Sequence, residues 1–357
     1  MDIYTILLII TTSLGITAAL TYIFIPLIKK WGLVDDPALH KHPAMIHTKI
    51  IPRAGGLPIF IGIFISCLIF LPITQITIGI LLASFLALVM GLIDDRYNAR
   101  SKDVSPYLRF GFNILCASIV VFSGISIPFI THPLGGILHL DMLIPFLPIS
   151  FGQVIALIWI VWVMNMLNWS KGIDGQMPGI VAISAFVIGI LSLRTPLMDG
   201  AGLIDARLSF VLTGAALGFL VFNFHPAKIF PGYGATCMYL LLAVVSILSS
   251  AKLATAILVM GVPTMDALFT IFRRVLSKRS PFRHDDKHLH HILLKFGFGQ
   301  RKIALFYWII SAIFGTIALS LRSESKPFAL ISLGVIAGGG LLFLHFIVRY
   351  RHEKDSA

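Results

Sequence analysis

Apolar runs long enough to cross a bilayer recur along this chain, and they limit its fold more than any other feature. A hydrocarbon core of about 30 Å takes about 20 apolar residues as a helix, because lipid offers no partner to open backbone groups. Eleven such runs are read, at about 4–28, 54–73, 76–93, 107–126, 150–167, 179–193, 207–224, 235–250, 251–272, 303–321 and 328–348. Only 12% of the residues are charged and 57% are hydrophobic, with a mean hydropathy of +0.92. A soluble domain carries about 25% charged residues, so a soluble enzyme and a disordered chain are excluded. The expected fold is an all-α polytopic membrane protein of about 10–11 transmembrane helices, one integral domain over 1–357. The longest polar segment, the basic loop 275–302, is too small for a core of its own. The first run has no Lys or Arg before it and reads as a span, not a cleaved signal. A short external β-hairpin is expected within 127–149, around Gly135-Gly136. Cys67, Cys116 and Cys237 lie in apolar runs without metal spacing and read as small core residues.

Basic residues give an orientation. With the N-terminus outside, the inner segments hold 23 of the 28 Lys and Arg. The outer ones hold Arg194, Arg207, Lys252, Arg322 and Lys326. Cytoplasmic loops carry such an excess, so the expected topology is N-terminus outside and C-terminus cytoplasmic. The net charge of +12 is divided among these loops. It fits anionic membrane lipid and gives no reason to expect nucleic acid.

The polar chemistry crowds the inner side. Gly91-Leu-Ile-Asp94-Asp95 closes the third run with two adjacent carboxylates, which are costly there unless hydrated, paired or metal-bound. Asn165 and Asn168 lead into Lys171-Gly-Ile-Asp174-Gly175, where Lys171 suits a phosphate. Asn223-Phe-His225-Pro-Ala-Lys228-Ile-Phe230-Pro-Gly232-Tyr233-Gly234 is a glycine-rich turn entering a helix, where an anion could sit. Lys228 could hold phosphate, and Phe230 or Tyr233 could stack on a base. His288, His290 and His291 could donate to a diphosphate or bind a metal. Lys49 and Arg53 follow His40, His42 and His47 in the first inner loop. Each group also has a plain structural reading: a solvated helix end, a helix cap and turn, a basic loop, or headgroup contact.

In this order the pieces resemble the polyprenyl-phosphate N-acetylhexosamine-1-phosphate transferases. The resemblance covers about 32–302. It rests on Pro52-Arg-Ala-Gly-Gly, Gly91-Leu-Ile-Asp-Asp, Asn165-x-x-Asn168 with Asp174-Gly175, Asn223-Phe-x-Pro-Ala-Lys-Ile, Pro263 with Asp266, and Ser280-Pro-Phe followed by His288-x-His290-His291. It implies transfer of a sugar-1-phosphate, with N-acetylglucosamine the usual sugar, from a UDP-sugar to a polyprenyl phosphate. UMP is released in a first membrane step of a cell-envelope glycan. It implies a bacterial inner membrane and a cytoplasmic active site, and leaves a homodimer open. By the same resemblance Asp94 orients or deprotonates the lipid phosphate. Asp95 helps organise metal and nucleotide, Asn168 faces the Mg²⁺–diphosphate region, and Asp174 faces the nucleotide. Phe230 stacks on uracil, the three histidines contact the diphosphate, and Lys49 and Arg53 line the mouth.

Two departures stand out. The family's first Asp after the second Asn is here Lys171, and its Gly-Asp before the next helix ends here in Tyr233. Two negative charges are lost and one positive gained. At about 4 Å and an effective dielectric near 20, one unit repulsion costs roughly 4 kcal/mol, and twice that against a divalent ion. Lys171 is therefore expected to replace part of the metal's charge, leaving Mg²⁺ weakly bound or dispensable. The alternative is a degenerate homologue that binds carrier lipid or nucleotide without turnover. A lipid transporter would place polar groups at mid-span and show a repeat, and neither is read.

Overall fold

The computed structural model describes residues 1–37, 49–132, 136–194, 201–248, 253–278, 280 and 287–355. Within them the chain is a helical, multi-pass membrane protein. The helices are α1 (Ile3–Lys30), α2 (Gly56–Phe70), α3 (Gln75–Asn98), α4 (Pro106–Phe122), α5 (Phe151–Trp169), α6 (Gln176–Arg194), α7 (Ala201–Asn223), α8 (Thr236–Val245), α9 (Leu253–Val259), α10 (Gly261–Leu276), α11 (Leu289–Lys295), α12 (Gln300–Ser320) and α13 (Lys326–Asp355). Each of the eleven apolar runs coincides with a helix or a helix pair. Seven segments are long and apolar enough to cross a membrane: α1, α3, α5, α6, most of α7, α12 and Ser323–Phe343.

The remaining runs depart from simple spans. The run read at 251–272 is two helices bent by 83° at Met260. Gly261 and Pro263 stand at the break, where a continuous helix would lose backbone bonds. Helix α8 has only 10 residues, all buried. It packs against α2, α3, α5, α6 and α7, so it needs no lipid-facing length. Helices α2 and α4 have 15 and 17 residues.

Small residues let the helices approach closely, as van der Waals packing in lipid requires. Gly214 and Gly218 of α7 lie on the backbone of α1 at Ile10 and Leu14, and Ser13 donates to the Val211 carbonyl at 2.7 Å. Gly62 of α2 meets Thr17 of α1. Gly56 of α2 and Gly91 of α3 both press on the backbone at Gly234, just ahead of α8. Helix α5 opens with a capping box in which Ser150 and Gln153 satisfy each other's backbone N–H.

Two short ribbons complete the chain. Strands β1 (Val34–Asp35) and β2 (Ile51–Pro52) pair antiparallel, and this sets Asp35 beside the start of α2. Strands β3 (Phe129–Thr131) and β4 (Ile137–His139) form the expected hairpin between α4 and α5. Its Gly136 has φ +89°, and Gly135 lies outside the described residues. The three cysteines are free and buried, as read. The basic segment 275–302 holds the end of α10, all of α11 and the start of α12; 279 and 281–286 lie outside the described residues.

The glycine contacts give a test. A side chain at Gly91 would overlap the Gly234 backbone, whereas Gly111 on α4 has open space around it. Gly91→Val should cost about 1–3 kcal/mol through overpacking, and Gly111→Ala should cost nothing. Thermal unfolding in detergent reads the difference, and equal midpoints for the two variants would discard the packing account.

Candidate active site

Five chain segments meet at one end of the bundle. They are the β2–α2 junction, the last turn of α3, the first turns of α4, the loop after α5, and the turn between α7 and α8. Asp95 is at their centre and is fully buried. Its Oδ1 accepts from Arg53 Nε at 3.1 Å and from the Tyr233 N–H at 2.8 Å, and its Oδ2 accepts from the Gly234 N–H at 3.2 Å. Arg53 also donates through one terminal nitrogen to both Asp35 oxygens, at 2.8 and 2.9 Å. Burial works against the Arg53 charge, but Asp35 and Asp95 outweigh it and hold the guanidinium above its ordinary value. Gly232 has φ +66°, and any side chain there would collide with the Asp95 carboxylate and the Arg53 carbonyl.

Asp94 differs. It is buried, yet neither oxygen accepts a hydrogen bond among the described residues. Its cationic neighbour is Arg109 of α4, 3.4 Å from Oδ1. A buried carboxylate without hydrogen bonds is costly, and the Arg109 charge offsets part of that cost.

The two departures from the family pattern are adjacent in space. Lys171 Nζ donates to Asn168 Oδ1 at 3.0 Å and to the Gly232 carbonyl at 2.9 Å. It stands 5.1 Å from the centre of the Tyr233 ring, and the Arg109 guanidinium stands 5.5 Å from it. The phenol thus makes a cation–π contact with each of the two cations. Asn113 Nδ2 donates to its hydroxyl at 3.4 Å. Burial pushes the Tyr233 phenol up to about 12, so it is neutral and supplies no charge in place of a carboxylate. Burial and the Arg53 charge bring Lys171 down to about 8, against the opposing pull of Asp95 and Asp94.

These partners decide whether the residues fit the divalent cation that the resemblance implies. The Asp95 oxygens are taken by a guanidinium and two backbone N–H groups. The Asn168 carbonyl oxygen is taken by an ammonium, while its Nδ2 donates to Thr236 Oγ1 at 2.7 Å. Among the described residues no group of three His, Cys, Asp or Glu side chains could hold a metal ion. Mg²⁺ needs several hard oxygens around it, and the donor set here does not fit one. Asp35, Asp94 and Asp95 instead face Arg53, Arg109 and Lys171, three carboxylates against three cations.

The other expected residues fall into place unevenly. Asp174 is a buried clamp: its Oδ2 pairs with His225 Nδ1 at 2.7 Å and accepts from the Ala227 N–H at 3.1 Å. Its neighbour Gly175 donates to Asn223 Oδ1 at 3.0 Å, so the loop after α5 is tied to the end of α7. Phe230 is buried, and its backbone bonds Pro52 and Gly55. Lys228 is exposed, 6.0 Å over the Phe222 ring. Lys49 is exposed ahead of β2. His288 Nδ1 pairs with Asp266 Oδ2 at 2.9 Å, and Asp266 Oδ1 accepts the Leu289 N–H at 2.9 Å, so one carboxylate holds the histidine and starts α11. His290 lies parallel to His288 at 5.7 Å and rests on Gly172, beside Lys171. Burial, then His291 and His288, push its pKa well down, leaving a neutral imidazole.

Sequence reading gave no role to Arg109, Asn113, Asp35, Thr236 or His225, and named Asp266 only within a motif. Arg109 alone had a signal, a lone cation one turn into an otherwise apolar helix.

Comparison with known proteins adds a family to this geometry. The pattern of glycosyl transferase family 4 matches residues 77–250. A protein of Bacillus subtilis (strain 168), named probable undecaprenyl-phosphate N-acetylglucosaminyl 1-phosphate transferase, is 31% identical over 354 residues, covering 93% of this chain and 89% of its own. The undecaprenyl-phosphate alpha-N-acetylglucosaminyl 1-phosphate transferase of Haemophilus influenzae is 32% identical, covering 87% and 85%. The decaprenyl-phosphate N-acetylglucosaminephosphotransferase of Mycobacterium tuberculosis (strain ATCC 25618 / H37Rv) is 30% identical, covering 85% and 80%.

The shared guanidinium is testable by itself. Arg53→Ala leaves two buried carboxylates without their common partner and should cost about 3–5 kcal/mol. Arg53→Lys keeps the charge but cannot fork between Asp35 and Asp95, and should fall between. A wild-type unfolding midpoint for Arg53→Ala would refute the bridge.

Proposed function

The chain belongs to glycosyl transferase family 4, among the polyprenyl-phosphate N-acetylhexosamine-1-phosphate transferases, and is a membrane phosphotransferase. From that premise we propose that it transfers a sugar-1-phosphate, with N-acetylglucosamine the first candidate, from a UDP-sugar to a polyprenyl phosphate. The observation that carries this reading is the buried Asp94 carboxylate, which accepts no hydrogen bond among the described residues, in a site with three half-buried cations, Arg53, Arg109 and Lys171. An oxygen of the carrier phosphate attacks the β-phosphorus of the donor. The bond from that phosphorus to the bridging oxygen breaks, UMP leaves, and a polyprenyl-diphospho-sugar remains. Such chemistry asks the protein to position its reactants and to neutralise charge.

Each residue then has a task. Asp94 orients the carrier phosphate and takes its proton where it carries one. Arg109 holds that phosphate next to Asp94. Lys171 faces the diphosphate and supplies charge that family members take from Mg²⁺, so metal is weakly needed or dispensable. Asp95 keeps Arg53 and the Tyr233–Gly234 backbone in register, and Asn168 holds the Lys171 ammonium. His288, His290 and His291 line the same loop from behind Gly172. Phe230 and Asp174 shape the nucleotide side, and Lys49 and Lys228 flank the mouth. The basic-residue asymmetry supports a cytoplasmic active site in a bacterial inner membrane, with the N-terminus outside and the whole chain as one domain.

UMP release by purified protein with undecaprenyl phosphate and UDP-N-acetylglucosamine tests the reading, in Mg²⁺ and in EDTA. Release in both is expected. Asp94→Asn should lower it by about 10²–10⁴-fold. Lys171→Asp combined with Tyr233→Asp should make release depend on Mg²⁺, and no gain in dependence would end the charge-replacement argument. Silence with every UDP-sugar tried would favour a homologue that binds without turnover, the reading to which the Lys171 and Tyr233 departures also lend support.

A further inference from the structure

The end of the molecule away from the Asp94–Lys171 pocket carries an unusual loop. Between β4 and α5 the chain makes a second, narrower hairpin. The Gly152 N–H donates to the Leu140 carbonyl at 2.7 Å, Phe151 to Met142 at 3.1 Å, and Ile144 to Ile149 at 2.9 Å, with a bridge between Leu143 and Ser150. Its tip is Pro145-Phe146-Leu147-Pro148, with Phe146 in the left-handed region at φ +68°. Met142, Leu143, Phe146 and Leu147 are all more than half exposed, and Phe146 is completely so. A tip in water would favour polar residues and glycine.

We infer that this hairpin tip is a membrane wedge, seated in the interfacial layer of the leaflet that faces away from the pocket. Three observations point to lipid and not to water. First, no charged residue occurs from Met142 to Ser170, so the apolar stretch of α5 extends back through the whole hairpin. Second, the exposed face continues into Phe122 at the end of α4 and into Phe151 and Ile158 of α5, which present their side chains outward. Third, α4 has 17 residues, about 25 Å at 1.5 Å each, against a core of about 30 Å. With Arg109 in its first turns at the inner boundary, its far end stops short of the opposite one. The segment that follows therefore starts within the apolar layer. An aromatic and aliphatic tip with a closed backbone ladder suits that depth, because its inner N–H and C=O groups are already paired. The open groove between α3 and α4 at the same end is lined by Ile78, Gly79, Leu115, Ile119 and Phe122, and it extends the apolar surface beside the wedge. Since α4 carries Arg109 and Asn113 at its other end, the wedge fixes the level at which those residues stand.

Spin labels measure this depth and do not depend on any activity. The native cysteines are buried, so single exposed cysteines can be labelled selectively. Phe146→Cys, Leu143→Cys, Asp141→Cys and Ile158→Cys would each be labelled in the full chain and reconstituted into vesicles of phosphatidylethanolamine and phosphatidylglycerol. Collision with oxygen and with a water-soluble nickel chelate would then be compared by power saturation. At 146 and 143 the oxygen-to-nickel ratio should approach that at the lipid-facing 158, and exceed that at 141 several-fold. A ratio at 146 as low as at 141 would place the tip in water and overturn the wedge. Shielding of 146 and 143 from both reagents would overturn it too, by showing protein, such as a second copy of the chain, over the tip.

Discussion

A single buried carboxylate, Asp95, ties together segments far apart in the chain. It binds the Arg53 side chain after β2 and two backbone N–H groups at Tyr233 and Gly234 ahead of α8. A buried charge persists only when its partners compensate for lost water, so these three segments must reach the same point together. Gly56, Gly91 and Gly232 make that convergence sterically possible, since any side chain on them would strike the backbone or carboxylate they adjoin. The pocket and the helix packing are thus one arrangement. Asp94, its neighbour in the chain, inherits its position from this knot, while its own oxygens accept no hydrogen bond among the described residues.

Three carboxylates and three cations in the site offset one another, and the uncharged Tyr233 ring makes a cation–π contact with both Lys171 and Arg109. An aspartate at 233 beside an aspartate at 171 would leave the pocket strongly negative and call for a metal. The observed pair is self-consistent in the opposite sense. Lys171 with an aspartate at 233 would form an ion pair in the anion's place, and Tyr233 with an aspartate at 171 would lose the cation that Asn168 and Gly232 now hold. The two departures therefore make physical sense as one change.

Much of the fold was legible because lipid forces closed hydrogen bonding, so a long apolar run has few alternatives to a helix. What hydropathy could not show was which apolar helix faces lipid and which is enclosed. Helix α8 and a lipid-facing helix have similar composition, and only packing tells them apart. The bend at Met260 was signalled by Gly261 and Pro263 but hidden by the continuous apolar character around them. In the site, the motifs led to Asp94, Asp95, Asn168, Lys171 and the histidines. They missed Arg109, which pairs with Asp94, because a cation near a helix start looks like a loop charge until its neighbours are known. Asp174 illustrates the opposite limit: a carboxylate in a ligand-like motif whose visible partners, His225 and the Ala227 N–H, belong to the protein itself.

The histidine segment shows how the far half of the chain is brought to the pocket. The break between α9 and α10 turns α10 so that Thr264 donates to Met166 near the end of α5. Asp266, one half-turn on, then captures His288 and the first N–H of α11. A straight helix through Met260 would carry Asp266 away from α5, and the histidines would lose their anchor. His290 in turn fits only because Gly172 has no side chain, so the loop that presents Lys171 and the loop that presents the histidines constrain each other. Helix break, carboxylate and glycine are separate local features, but each is useful to the site only in the presence of the other two.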